Sequence, residues 1–238
     1  MTESMAETTV EQVPTHDGGS MPARLVIPEA ADGAAVVVIH EIFGVNDYMQ
    51  AVLDRLAGLG YIALCGDLFW RIDPGHDIPQ DEAGLGQAME RMGSFDFAEA
   101  TRDCDAALGY LSRRPEVTGP VAVLGFCLGG TLAYATAISS EPDAVVAYYG
   151  SGIAGLLDQA GAIDCPMLFH FGTDDAFIPA DDVDRIEASF ADRDDIELCR
   201  YAAGHAFDNS FSDLFHDPAA AEEAWGVTTD FLRRVLVR

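Results

Sequence analysis

The chain contains no lysine. All 13 of its basic residues are arginine and stand against 40 acidic ones, giving a formal net charge of −27 over 238 residues. A field of that sign repels phosphate backbones and anionic bilayers, so nucleic-acid and membrane partners are not expected. The acids are scattered, as in Asp181, Asp182, Asp184, Asp192, Asp194 and Asp195, and form no tail. Two accounts stay open: an acidic, solvated surface of the halophile kind, suited to a salty cytoplasm, or a cationic partner or substrate. Cysteine is scarce and odd in number (Cys65, Cys104, Cys127, Cys165, Cys199), with no C-x-x-C pair. That argues against a disulfide framework and fits a reducing, cytoplasmic location. His40, His76, His170 and His216 keep no ligand spacing, so neither a metal nor another cofactor is expected. No apolar run approaches the ~20 residues of a membrane span. Glu3, Glu7 and Glu11 read against a signal peptide.

What the chain does have is apolar mass, 49% of its residues, enough for a substantial core. Its length suits one domain over 1–238, with residues 1–10 frayed. Met21 to Pro28 reads as a second edge strand after a first one near the N-terminus. The continuous apolar, β-branched run Ala34 to Ile39 reads as a strand buried on both faces, and Tyr61 to Cys65, Val121 to Phe126, Ala144 to Tyr149 and Pro166 to Phe171 read as further buried strands. Ile196 to Tyr201 adds another strand. Between them fall helical patterns at Asp47 to Gly60, Asp81 to Arg91, Phe95 to Leu111, Val183 to Phe190 and Ala219 to Leu236. Alternation of this kind predicts a mostly parallel sheet with helices on both faces. The stretch from Gly150 to Pro166 is too short for a cap domain. A monomer or small homo-oligomer is expected.

The apolar run Val121 to Leu124 leads into Gly125-Phe126-Cys127-Leu128-Gly129-Gly130, and a small-residue helix pattern (Thr131, Ala133, Ala135, Ala137) follows. This is the strand–nucleophile–helix pattern of an α/β-hydrolase elbow, with cysteine in place of serine. The glycines permit a turn too tight for neighbouring Cβ atoms. The helix N-terminus behind the cysteine favours a thiolate. A buried, inert cysteine beside a glycine turn is the alternative. The stretch lacks G-x-G-x-x-G spacing, so it is a poor dinucleotide loop. A nucleophile needs a base, and the base an orienting acid. Cys127, then Asp175, then His205 is the chain order of that pattern. Each lies just past a predicted strand, on the rim where ligands of such sheets sit. Asp174 and Asp175 are not separable by spacing, and either could be a turn residue. His205 could be a loop histidine. The oxyanion of acyl transfer needs two N–H donors; Leu128, next after the cysteine, and Ile42, after an earlier strand, occupy the expected places. Tyr148, Tyr149 and Phe211 to Phe215 read as wall or core, and Phe69 and Trp70 as residues at a pocket mouth.

The chain resembles the dienelactone hydrolase (carboxymethylenebutenolidase) family from about residue 10 to its end. The resemblance rests on several stretches: His40-Glu41-Ile42-Phe43-Gly44-Val45-Asn46, Gly60-Tyr61-Ile62-Ala63 with Asp67-Leu68-Phe69, and Pro79-Gln80-Asp81-Glu82. The cysteine elbow, Gly172-Thr173-Asp174-Asp175-Ala176-Phe177-Ile178-Pro179 and Gly204-His205-Ala206-Phe207 complete it. It implies an α/β-hydrolase that opens an enol-lactone, 4-carboxymethylenebut-2-en-4-olide, to maleylacetate through a thioester acyl-enzyme. It singles out Asp175 over Asp174. It also implies that Glu41 holds the thiol at rest and takes its proton when substrate binds. Two arginines of the family that grip the substrate carboxylate are not matched: Ala83, Gly84 and Leu85 stand at one place and Asn209 at the other. Arg71 and Arg91 are candidate replacements, with Asn209 and Phe43 as further substrate contacts. The expectation is a hydrolase of esters or lactones with smaller or less anionic acyl groups. A carboxylesterase or thioesterase of unrelated substrate, or a non-catalytic binding protein on the same scaffold, are the alternatives.

Overall fold

In the computed structural model, residues 7–75 and 78–236 are described; the expectations for residues 1–6 and for His76 lie outside them. Eight strands form one sheet: β1 (Thr8–Pro14), β2 (Ser20–Val26), β3 (Ala35–Ile39), β4 (Ile62–Gly66), β5 (Val121–Phe126), β6 (Ala144–Tyr148), β7 (Met167–Gly172) and β8 (Ile196–Tyr201). Their order across the sheet is β1-β2-β4-β3-β5-β6-β7-β8. β1 and β2 pair antiparallel, as do β2 and β4, and every later pairing is parallel. β3, β4, β5, β6 and β7 are buried at every position, which is why they read as unbroken apolar runs.

Among the described residues six α-helices connect or close the strands: α1 (Asp47–Gly58), α2 (Glu82–Met92), α3 (Phe97–Ser112), α4 (Leu128–Ser139), α5 (Ala180–Ser189) and α6 (Pro218–Val235). Asn46, Asp81, Asp96 and Asp217 cap four of them by accepting from amides of the first turn. α3 and α4 pack together on one face. On the other, the Arg55 guanidinium of α1 lies 3.6 Å over the Trp225 ring of α6. Both faces are thus covered, as a parallel sheet requires.

Two expectations near the N-terminus are corrected. β2 is an inner strand, because β1 takes the edge outside it. Thr8 to Val10 are not frayed but paired with Arg24 to Val26. At the end of α1 the helix stops at Gly58, and Gly60 turns the chain with φ +95° while its N–H returns to Ala57 O. Between β6 and β7 stand only two short 3-10 turns, Ile153–Gly155 and Leu157–Ala162. The carboxyl ends of β3, β5, β7 and β8 therefore share one open rim. No helix among the described residues is long and apolar enough to cross a membrane.

Candidate active site

The turn after β5 is held by contacts that exclude side chains. Cys127 sits at φ 53°, ψ −113°, a region that residues with a Cβ rarely adopt. Its N–H donates to Tyr148 O at 3.0 Å and its carbonyl accepts from Thr131 N. A Cβ on Gly125 would lie 1.9 Å from Gly129 O, one on Gly129 2.1 Å from Ile39 O, and one on Gly130 2.4 Å from Tyr148 O. The start of α4 is thus pressed onto β3 and β6, and only glycine fits at each contact. The result is a cysteine lifted off the sheet at a helix N-terminus.

The two loops that face it are stitched together. Thr173 N donates to Tyr201 O and Asp174 N to Ala203 O. A Cβ on Gly172 would meet Ala203 O at 2.3 Å. This crossing brings Asp175 and His205 together: Asp175 Oδ2 lies 2.7 Å from His205 Nδ1, and its Oδ1 accepts from Phe177 N at 2.8 Å. His205 Nε2 in turn lies 3.1 Å from Cys127 Sγ. Asp174 is exposed and contributes to this crossing through its backbone N–H. Burial works against a charge on His205, but the Cys127 sulfur and the Asp175 carboxylate outweigh it and lift its pKa to about 10. The rings of Tyr149 and Phe177 flank the imidazole, with centroids at 5.2 and 4.9 Å.

The loop after β3 carries Glu41 and Ile42. Leu68 N donates to His40 Nε2, so His40 carries its proton on Nδ1 and gives it to Glu41 O at 2.6 Å. His40, buried and neutral, is therefore a brace for this loop that ligand spacing could not reveal. The Glu41 side chain is buried; Oε2 accepts from Asn209 Nδ2 at 2.8 Å and Oε1 has no hydrogen-bond partner. Burial pushes its pKa up to about 7, against the pull of the His205 charge and the Asn209 hydrogen bond. Neither Ile42 N–H nor Leu128 N–H donates to another described residue, and both residues border the same cavity.

That cavity holds about 330 Å³ and opens beside Glu41, Cys127 and His205. Leu85, Met89 and Met92 of α2 line it together with Leu128, Thr131, Ser151, Phe43, Phe177 and Phe215, among others. Phe43 is thus where a substrate contact was expected. The other three expected contacts are not. Arg71 is bound by Asp103 and Asp17 and lies over the Trp70 ring. Arg91 pairs with Asp73 and lies over the Phe69 ring. Asn209 spends its amide on Glu41 and on Gln80 Oε1, and Ser212 Oγ donates to Gln80 O. None of the three lines the cavity, and Arg91 Nη1 is buried without a hydrogen-bond partner. Phe69 is in the core and Trp70 donates to Asp103, so neither forms the mouth. The α2 wall went unread, although 85, 89 and 92 follow the i, i+4, i+7 period of one helix face. No group of three or more His, Cys, Asp or Glu among the described residues could hold a metal ion.

An eight-stranded, largely parallel sheet with its cysteine turn, acid and histidine in this order along one rim defines an α/β-hydrolase fold. Residues 21–236 match the profile of the dienelactone hydrolase family. A carboxymethylenebutenolidase of a Pseudomonas species is 37% identical over 219 residues, covering 92% of each chain. Carboxymethylenebutenolidase 1 of Cupriavidus pinatubonensis is 32% identical over 93% of this chain and 94% of its own. Among solved structures, a dienelactone hydrolase-like promiscuous phosphotriesterase from metagenomic libraries superimposes with a TM-score of 0.80 at 26% identity. It covers 97% of this chain and 99% of its own. The chain belongs to the dienelactone hydrolase family, and is a hydrolase of ester or lactone bonds.

Proposed function

We propose that the protein hydrolyses its ester or lactone through a thioester on Cys127. The observation that carries this reading is the line of atoms Sγ, Nε2, Nδ1 and Oδ2, spaced 3.1 and 2.7 Å, at the edge of an apolar cavity. Cys127 Sγ attacks the acyl carbon while His205 Nε2 carries the thiol proton. The carbonyl oxygen gains negative charge, which Ile42 N–H and Leu128 N–H stabilise. The C–O bond to the alcohol or enol breaks, and that oxygen takes the proton from Nε2. Water then gives a proton to Nε2 and attacks the thioester. The C–S bond breaks, and the proton returns to the sulfur as the acid departs. Asp175 holds the imidazole with Nε2 toward the sulfur and favours its charged form. Glu41, buried beside the same cavity, takes no proton in these steps.

The test is acyl trapping. Quenched turnover of p-nitrophenyl acetate should leave an acetyl group on Cys127, and iodoacetamide should block both labelling and turnover. Cys127→Ala should lower kcat by roughly 10⁴-fold or more with its melting temperature kept. Turnover that survives in Cys127→Ala, or an acetyl group on another residue, would overturn the reading.

A further inference from the structure

The cavity beside Cys127 has an electrostatic character that its shape alone does not reveal. Among the described residues its only carboxylate is Glu41, whose Oε1 is buried and has no hydrogen-bond partner. Apart from His205 it borders no basic side chain among the described residues. The arginine nearest to it along α2, Arg91, is turned away: residues 85, 89 and 92 share the cavity face, and 91 lies off that face by the helical period. Its Nη2 is held by Asp73 and its guanidinium lies over the Phe69 ring, while Nη1 is buried without a hydrogen-bond partner; the side chain is only 6% exposed. Asn209, whose amide could have faced a substrate, is closed around Glu41 and Gln80. A carboxylate entering here would lose its water, meet no cation beyond the reacting imidazole and face a buried acid.

Resting on the hydrolytic reading above, we propose that the protein takes esters and lactones whose acyl portion is uncharged and apolar, and rejects those whose acyl portion ends in a carboxylate. Methionine fits this use. Met89 and Met92 are unbranched and adaptable, and they give the cavity a wall that follows different aliphatic shapes. The selectivity therefore has two parts: apolar contact from α2, and desolvation without compensation for an anion.

The experiment compares two p-nitrophenyl esters of nearly equal shape, the 4-methylpentanoate and the hemisuccinate, in which a carboxylate replaces the isopropyl end. The expected result is a kcat/KM roughly 100-fold higher for the 4-methylpentanoate. Equal rates, or a preference for the hemisuccinate, would overturn the proposal. Met89→Arg sets a guanidinium on the wall at an exposed helical site and should raise hemisuccinate turnover about tenfold while lowering that of the neutral ester. An unchanged ratio in a folded Met89→Arg protein would also overturn it. Cys127→Ala separates the two readings. Activity that survives in that variant sinks the mechanism, whereas activity that depends on Cys127 but ignores acyl charge sinks the specificity alone.

Discussion

Two hydrophobic clusters meet at the cavity, and they are built to different standards. The large one runs through the sheet and carries Cys127 at its edge. The small one consists of Phe43, Ile78 and Ala88, with Ile42, Leu85 and Phe215 packed around it, and it supports α2. At the first, backbone meets backbone at distances that leave no room for a methyl group. At the second, only the start of α2 is that tight, where a Cβ on Gly84 would stand 1.7 Å from Pro79 O; beyond it the helix buries only Ala88, and Met89 is 55% exposed. The difference separates two duties. Bond-making atoms need fixed distances, and close-packed backbone supplies them. A wall that only excludes water and grips acyl carbons can be looser.

If the reacting side is as over-determined as this, small changes there should be costly. The largest effect is expected for Asp175→Asn. It leaves a hydrogen-bonding partner for His205 but removes the charge and reverses the favoured tautomer. Activity should fall by roughly 10⁴-fold, about 5 kcal/mol of transition-state stabilisation, with little change in melting temperature. Steady-state kinetics on p-nitrophenyl acetate would check it, and a loss below tenfold would mean that the carboxylate only ties the loops together. Next is Gly129→Ala, whose Cβ would stand 2.1 Å from Ile39 O. The backbone cannot yield without moving α4 off β3, so a destabilisation of about 4 kcal/mol or outright insolubility is expected. Urea unfolding decides this one, since a midpoint like the parent's would show that the elbow has slack.

Glu41 stands between the two regions, and its effect should depend on pH. Folding raises its pKa from 4.5 to about 7, chiefly by burial. The folded chain therefore binds this proton more tightly than the unfolded one. Between those two values the group's contribution to stability falls as pH rises, and above about 7 it is a constant cost of about 3 kcal/mol. Glu41→Gln keeps an acceptor for Asn209 and removes the ionisation. Relative to the parent it should be little changed at low pH and more stable above neutrality. Thermal melts across that range test it, and a difference that stays flat with pH would contradict the assignment.

The same contrast explains what the sequence disclosed. The strands and the cysteine turn were legible because each is dictated locally, by apolar runs buried on both faces and by glycines that nothing larger can replace. The order Cys127, Asp175, His205 pointed to one rim, and the loops crossing at Gly172 account for the acid and histidine meeting there. Arg71, Arg91 and Asn209 lie outside the cavity lining because their directions depend on distant partners: Asp103 and Asp17, Asp73 and Phe69, Glu41 and Gln80. No spacing encodes those meetings. The inner position of β2 is non-local in the same way, since it depends on β1 folding back outside it. The α2 wall was legible in principle from its period, but a helix with an apolar face normally points that face at the core, and this one points it at a cavity.

Met89→Ala should have the smallest effect on stability and still report on recognition. The side chain is more than half exposed, so its truncation should cost under about 0.5 kcal/mol of folding stability. It lines the cavity, however, and loses contact with the acyl chain equally in the ground and transition states. Binding of that kind appears in KM more than in kcat. A rise in KM of about three- to fivefold is expected for p-nitrophenyl 4-methylpentanoate, and a smaller one for the acetate, whose acyl group is too short to reach α2. Equal effects on both esters would mean that α2 acts on the reacting atoms. A loss of several kcal/mol in unfolding stability would mean that the wall is as tightly built as the elbow, and the contrast between the two clusters would then fail.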